Sequence, residues 1–176
     1  VEQVLEAGCA LVNGSPVLRY SGYGEIVQAL LLGSVVPAFS YIIQAGALHP
    51  LILPATLPSV LIWTAACLVF QLASYNEDVN QDRRTLLIRL SWHRSVLFHH
   101  VLFLVGYIFI GHAPIFGLSW RLVWPMLIAL PAAVFEIWLV NRIALGWPPR
   151  WLLMKTLAVL NFILPIYLLA ARLWLA

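Results

Sequence analysis

Five continuously apolar stretches, separated by short polar segments, dominate this chain of 176 residues. Each stretch is about 20 residues long, the length that an α-helix needs to cross the hydrocarbon core of a bilayer. We therefore predict an all-α fold, a polytopic bundle of about five transmembrane helices. The predicted spans cover residues 24–46, 57–75, 95–111, 122–145 and 151–173.

The segments between the spans are short, so we predict a single transmembrane domain over residues 1–176. Residues 1–23 are interpreted as part of a helix followed by a connector. Residues 24–176 hold the five spans, with a polar loop at 75–94 between the second and the third. The chain begins with Val1 rather than Met, which is expected of a fragment or a processed protein.

Composition supports the membrane assignment, since 62% of the residues are hydrophobic, 10% are charged and the mean hydropathy is +0.92. A soluble domain of this size needs far more charge on its water-facing surface. No basic stripe is present, so nucleic acid is not an expected partner. Cys9 and Cys67 lack metal-binding or redox spacing and are expected to be small buried hydrophobic residues.

Basic residues indicate how the spans are oriented. If the polar loop at 75–94 is cytoplasmic, most Lys and Arg residues fall on the cytoplasmic side, as the positive-inside rule requires. These are Arg19, Arg83, Arg84, Arg89, Arg94, Arg142, Arg150 and Lys155, whereas Arg121 and Arg172 fall opposite. We therefore predict an integral protein of the cytoplasmic (inner) membrane with this loop facing the cytoplasm.

The polar loop carries the candidate chemistry. Asp78 and Asp82 are four residues apart, so on a helix or helical turn they would face the same side and repel each other. A Mg²⁺ ion would relieve this repulsion, because it prefers oxygen ligands and completes its shell with water and phosphate. Arg83 and Arg84 would then contact a diphosphate.

Tyr75 and Asn76, just before the aspartate pair, are candidate supporting residues. The same composition also fits a solvated loop between two membrane helices, without any metal, because D-x-x-x-D alone is a weak motif.

Three further ionisable residues lie within the predicted spans. Glu136 is expected to pair with Arg142 or to lie at a water-exposed helix end. His99 and His100 point about 100° apart and do not easily grip one metal ion. A hydrogen-bonded histidine near the membrane interface is expected, with ligation of a chlorin or haem metal by one histidine as the alternative.

Two motifs together resemble the C-terminal half of the UbiA superfamily of membrane prenyltransferases, in particular the branch that prenylates 1,4-dihydroxy-2-naphthoate. Residues 13–25 read N-G-S-P-V-L-R-Y-S-G-Y-G-E and are similar to the family connector T-G-G-P-x-P-L-x-Y-x-G-L-G-E. Residues 78–90 read D-V-N-Q-D-R-R-T-L-L-I-R-L and resemble the second aspartate-rich motif, D-x-x-x-D-x-x-x-G-K-R-T-L-x-x-R-L-G. Gly33, Tyr41, Gln44 and Gly46 also recur at family positions.

The resemblance implies half of a nine-helix bundle that holds a prenyl diphosphate through Mg²⁺ in a central cavity. It assigns Asp78 and Asp82 as Mg²⁺ ligands and Arg84 as a diphosphate contact. The family's first motif, N-x-x-x-D-x-x-x-D, does not occur in these 176 residues. A Mg²⁺-dependent prenyltransferase is therefore expected only if an N-terminal half or a partner supplies that motif.

Two functions remain open from the sequence. The first is a UbiA-like membrane protein of prenylquinone biosynthesis that binds a prenyl diphosphate or quinone-type lipid and is incomplete or inactive as a transferase on its own. The second is a non-catalytic membrane subunit of a photosynthetic or respiratory complex that lines a quinone or pigment site. Both imply membrane lipid and further membrane subunits as partners.

Overall fold

A computed structural model describes residues 23–175, except for the side chains of 53, 54 and 173–175. The regular structure of this part is helical, and five of its helices are long and apolar enough to cross a membrane. The predicted all-α bundle of five spans is thereby confirmed. The connector over residues 1–23, including its N-G-S-P segment, Cys9 and Arg19, lies outside the described residues except for Tyr23.

Six helices are labelled here in chain order. They are α1 (Gly24–Ala45), α2 (Ile52–Asn80), the short α3 (Leu86–Leu90), α4 (Trp92–His112), α5 (Trp120–Ala144) and α6 (Trp151–Leu175). A π-helical turn, Leu31–Val35, interrupts α1, and a 3₁₀ segment, Trp124–Ala129, interrupts α5.

Helix α2 is the central element of the bundle, because it packs against α1, α3, α4 and α6. Its membrane-spanning window is 72% buried, against 17% for α1 and 22% for α6. Ile62 and Leu68 on α2 belong to one apolar cluster with Phe103 of α4. Trp63 on α2 belongs to a second cluster with Met154 of α6.

The second span is longer than the sequence suggested. Its helix begins at Ile52 and contains Pro58, whereas the predicted span began at residue 57. A proline has a helical φ and removes a single backbone donor, which a packed membrane helix tolerates.

The predicted polar loop at 75–94 is correspondingly shorter. Helix α2 continues to Asn80, and a turn leads into α3, where the Thr85 side chain accepts a hydrogen bond from the Ile88 N–H (3.4 Å). Ser91 then connects α3 to the start of α4 at Trp92. Most of the expected loop is therefore helical, and the Asp78 side chain is fixed by a helix.

Helices α1 and α2 meet closely at Gly33. A Cβ atom placed on Gly33 would lie 2.8 Å from the backbone nitrogen of Val60. One residue further on, the hydroxyls of Ser34 and Thr56 form a hydrogen bond of 3.2 Å. Small residues that permit such close approach commonly hold membrane helices together.

We predict that Gly33→Ala lowers the free energy of unfolding by about 1–3 kcal/mol, because the added methyl group meets rigid backbone. Gly111→Ala in α4 is the matched control, since a Cβ there has no atom within 4 Å. Denaturation in mixed detergent micelles measures both variants. Equal stability of the two would contradict this account of the α1–α2 contact.

Candidate functional site

The site predicted from the sequence lies at the C-terminal end of α2. Asp78 is only 3% exposed, although it carries a carboxylate. Its Oδ2 accepts a hydrogen bond from the Ser74 hydroxyl (2.9 Å), and its Oδ1 lies 3.3 Å from Nη1 of Arg83. The Arg83 N–H also donates to the Asp78 carbonyl (2.9 Å), which folds the chain back over the helix end. Arg83 thus supplies the positive charge beside Asp78.

The second aspartate is placed differently. Because α2 ends at Asn80, Asp82 lies beyond the helix and has a left-handed backbone with φ +49°. The expectation that Asp78 and Asp82 share one face of a helix is therefore wrong. Asp82 and Arg84 are both exposed.

The two candidate supporting residues do not converge on Asp78 either. Asn76 is exposed, and the Tyr75 ring packs edge-on against Trp92 with 5.5 Å between centroids.

Over the described part of the chain, no three His, Cys, Asp or Glu side chains are grouped to hold a metal ion. With both Asp78 oxygens engaged by Ser74 and Arg83, these residues as folded do not fit a Mg²⁺ site, and the ligand roles stay predictions.

A cavity of about 340 Å³ lies further along the same helix, between α1, α2 and α6. Trp63, Cys67 and Gln71 succeed each other at intervals of four residues and therefore line it from one face of α2. The lining residues are Glu25, Gln28, Trp63, Cys67, Phe70, Gln71 and Val159. The wall is thus largely apolar, with polar groups gathered around Glu25 and Gln71. Cys67 is buried, as expected.

Gln71 connects three helices at the polar side of this cavity. Its Nε2 donates to Oε1 of Glu25 on α1, and its Oε1 accepts a hydrogen bond from the Leu87 N–H at the start of α3 (2.9 Å). The other Glu25 oxygen and the Trp63 indole N–H are buried without a hydrogen-bond partner among the described residues. Seven buried side-chain polar atoms of the described residues lack a partner, and these two are the ones whose residues line this cavity. A ligand or water at the cavity would provide the missing partners.

The described end of the connector, Tyr23 to Glu25, contacts the segment that follows α2 here. Glu25, in the connector motif, is joined through Gln71 to Leu87 in the second motif. The guanidinium of Arg89 lies 4.5 Å from the centroid of the Tyr23 ring, a cation–π contact between the same two motifs.

A second polar cluster occupies the interior of the bundle. Glu136 on α5 accepts a hydrogen bond from Nδ2 of Asn161 on α6 (2.6 Å), and its other oxygen lies 3.4 Å from Nε2 of His99 on α4. All three side chains are 0% exposed. Glu136 precedes the end of α5 by about 12 Å at the usual helical rise, so this cluster lies within the membrane.

Glu136 therefore does not have the partner expected from the sequence. Arg142 is six residues further along, which rotates it about 240° away around the helix. Its guanidinium lies 4.2 Å from the ring centroids of both Trp138 and Trp147. His99 is hydrogen-bonded, as predicted, and its side chain is fully buried in the core of the bundle.

Sequence reasoning overlooked Gln71, Trp63 and Asn161. Gln71 and Asn161 are single polar residues within apolar helices, and a buried polar side chain in a membrane requires a partner inside the protein. A lone polar residue in an apolar helix was therefore the sequence signal that could have identified Gln71 and Asn161. The unpaired N–H of Trp63 could not be predicted from the sequence, because tryptophan occurs both at helix ends and in apolar cores.

Comparison with protein-family models, with curated proteins and with solved structures finds no match for this chain.

We predict that Glu136→Ala lowers the free energy of unfolding by about 3–5 kcal/mol, because it leaves His99 and Asn161 without their shared partner in an apolar interior. Glu136→Gln retains both hydrogen-bonding positions and is expected to cost less. Glu77→Ala, at an exposed position near the end of α2, is the control and is expected within about 0.5 kcal/mol of the parent protein. An equal loss for Glu136→Ala and Glu77→Ala in detergent unfolding would refute the buried cluster.

Proposed function

We propose that this integral membrane protein is UbiA-like and binds a quinone-type isoprenoid lipid in the cavity between α1, α2 and α6, without catalysing prenyl transfer in this form. The observation that carries the proposal is the combination of an apolar wall with two orphaned polar atoms, Oε2 of Glu25 and the N–H of Trp63. Ligand sites are typically apolar cavities with a few fixed polar groups, and 340 Å³ lies within their usual size range.

The two orphaned atoms complement the two redox forms of such a headgroup. A quinone carbonyl is an acceptor and would take the Trp63 N–H. A quinol hydroxyl is a donor and would satisfy Oε2 of Glu25. Pairing these atoms removes the desolvation cost that each incurs when it is buried alone. The isoprenoid tail would lie against Phe70 and Val159, which line the same cavity.

A prenyl diphosphate fits this cavity less well. Its negative charge needs a cation, and the described lining has no Lys or Arg side chain but does include the carboxylate of Glu25. Arg83, one of the two predicted diphosphate contacts, is engaged with Asp78. Mg²⁺ binding by Asp78 and Asp82, with Arg83 and Arg84 on the diphosphate, requires Arg83 to leave Asp78 and remains the alternative form of this proposal.

The orientation and the partners belong to the same proposal. The end that holds Asp78 would face the cytoplasm, because it carries most of the basic residues. The exposed apolar faces of α1, with Phe39 63% and Ile43 68% exposed, would contact lipid, an N-terminal half or further membrane subunits. A quinone-binding subunit of a larger photosynthetic or respiratory assembly is the second candidate, favoured by the same cavity.

We predict that a radiolabelled quinone with a short isoprenoid tail binds the detergent-solubilised protein, and that Val159→Phe weakens binding roughly tenfold by filling the cavity. Val134→Phe is the matched control, because Val134 is 55% exposed on the outer surface of α5. Trp63→Phe keeps the ring but removes the N–H, and should weaken binding about fivefold. Unchanged affinity in both cavity variants would exclude this cavity as the quinone site.

A variant of Asp78 separates the two headgroups. Asp78 does not line the cavity, and its two carboxylate oxygens are held by Ser74 and Arg83. Asp78→Asn is therefore expected to leave quinone affinity unchanged. Mg²⁺-dependent binding of a prenyl diphosphate by the parent protein, lost in Asp78→Asn, would instead support the metal-dependent alternative.

A further inference from the structure

A second cavity, of about 400 Å³, lies between the C-terminal end of α5 and the start of α6. Two arginines line it, together with aromatic and aliphatic side chains. The lining includes Arg142, Arg150, Trp138, Trp147, Phe135 and Leu153. It has no lining residue in common with the cavity that contains Trp63.

The sequence of the α5–α6 turn builds this cavity. Gly146 has φ +88°, a left-handed conformation that glycine adopts readily, and ends α5. The Gly146 N–H then donates to the Ile143 carbonyl (2.9 Å), and the Trp147 N–H donates to the Arg142 carbonyl (3.1 Å). This pair of hydrogen bonds is a Schellman motif, and it brings Trp147 back beside Arg142.

The guanidinium of Arg142 is held in place by this turn. It lies 4.2 Å from the ring centroids of both Trp147 and Trp138. Stacking uses the flat faces of a guanidinium and leaves its N–H edge for an oxygen acceptor. A guanidinium fixed in this way loses little conformational freedom when an anion binds to its edge.

Within the part of the chain that the structure describes, no carboxylate forms an ion pair with the arginines of the cavity. The ion pairs of the described residues join Arg83 to Asp78 and His99 to Glu136, and neither involves Arg142 or Arg150. Arg150 directly precedes α6, and the cavity therefore lies beside the N-terminus of that helix, whose partial positive charge adds to that of the guanidinium groups.

The rest of the lining points to the source of the anion. Phe135, Trp138 and Leu153 are 44%, 45% and 37% exposed, and all three belong to membrane-spanning helices. One side of the cavity is thus continuous with the apolar surface that meets lipid tails. Basic pockets between membrane helices at the membrane surface are typical binding sites for anionic lipid headgroups.

We propose that this cavity binds the phosphate of an anionic phospholipid. Arg142 and Arg150 contact the phosphate oxygens, the tryptophan rings lie at headgroup level, and the acyl chains follow Phe135 and Leu153. The site is independent of the proposed quinone cavity, so failure of either proposal leaves the other standing.

The test is native mass spectrometry of the full chain in mild detergent, with phosphatidylglycerol and phosphatidylcholine of identical acyl chains in competition. The parent protein is expected to retain phosphatidylglycerol preferentially. Arg142→Gln and Arg150→Gln should each reduce the preference for phosphatidylglycerol about fivefold. Arg172→Gln is the matched control, because Arg172 also lies over a tryptophan, Trp124 (5.4 Å), but at the opposite end of the bundle.

The outcomes are decisive in either direction. An unchanged preference in the double variant overturns the proposal, as does an equal loss in Arg172→Gln. Complete displacement of the lipid by excess inorganic phosphate would assign the site to free phosphate and overturn its assignment to lipid. If the double variant melts at a lower temperature, Arg150→Gln alone decides, because the Arg150 side chain is exposed and its loss spares the core.

Discussion

A helix surrounded by other helices inside a membrane must find partners for its polar side chains within the protein, and α2 is such a helix. Thr64 satisfies this requirement within the helix itself by donating to the Val60 carbonyl (2.8 Å). Gln71 satisfies it through α1 and α3, and Asp78 through Ser74 and Arg83. These contacts fix the positions of the helices around α2, and the cavities and clusters of the bundle follow from them.

The same requirement distinguishes the buried carboxylates of the bundle from one another. Every oxygen of Asp78 and of Glu136 has a partner, so these carboxylates are accounted for by the fold. Oε2 of Glu25 and the N–H of Trp63 have none among the described residues, and both residues line one apolar cavity. A ligand with one acceptor and one donor at its polar end would complete that arrangement, and the proposed quinol has both in its hydroxyl groups.

Much of the fold was predictable, because span length and continuous hydrophobicity are properties of the sequence itself. The exact end of α2 was not, since nothing before Asn80 breaks a helix and the polar residues from Tyr75 onward looked like a loop. Because α2 ends at Asn80, Asp82 lies beyond the helix. The metal hypothesis depended on Asp78 and Asp82 facing the same side.

The partners of Glu136 could not be predicted from the sequence either, for a different physical reason. Arg142 is close in sequence, but the helical rotation between the two residues turns it to another face. Asn161 lies 25 residues away and reaches Glu136 only because α5 and α6 pack side by side. Contacts between helices of this kind depend on rotation and depth, which hydrophobic patterning leaves open.

The most direct measurement is photo-crosslinking of the detergent-solubilised protein with a quinone that carries a photoreactive group on its ring, followed by peptide mapping. We predict labelling of α2 around Trp63 to Gln71 and of the facing part of α6 near Val159, suppressed by an excess of unlabelled quinone. Labelling confined to the lipid-facing surfaces of α4 or α5, or unaffected by that excess, would contradict it.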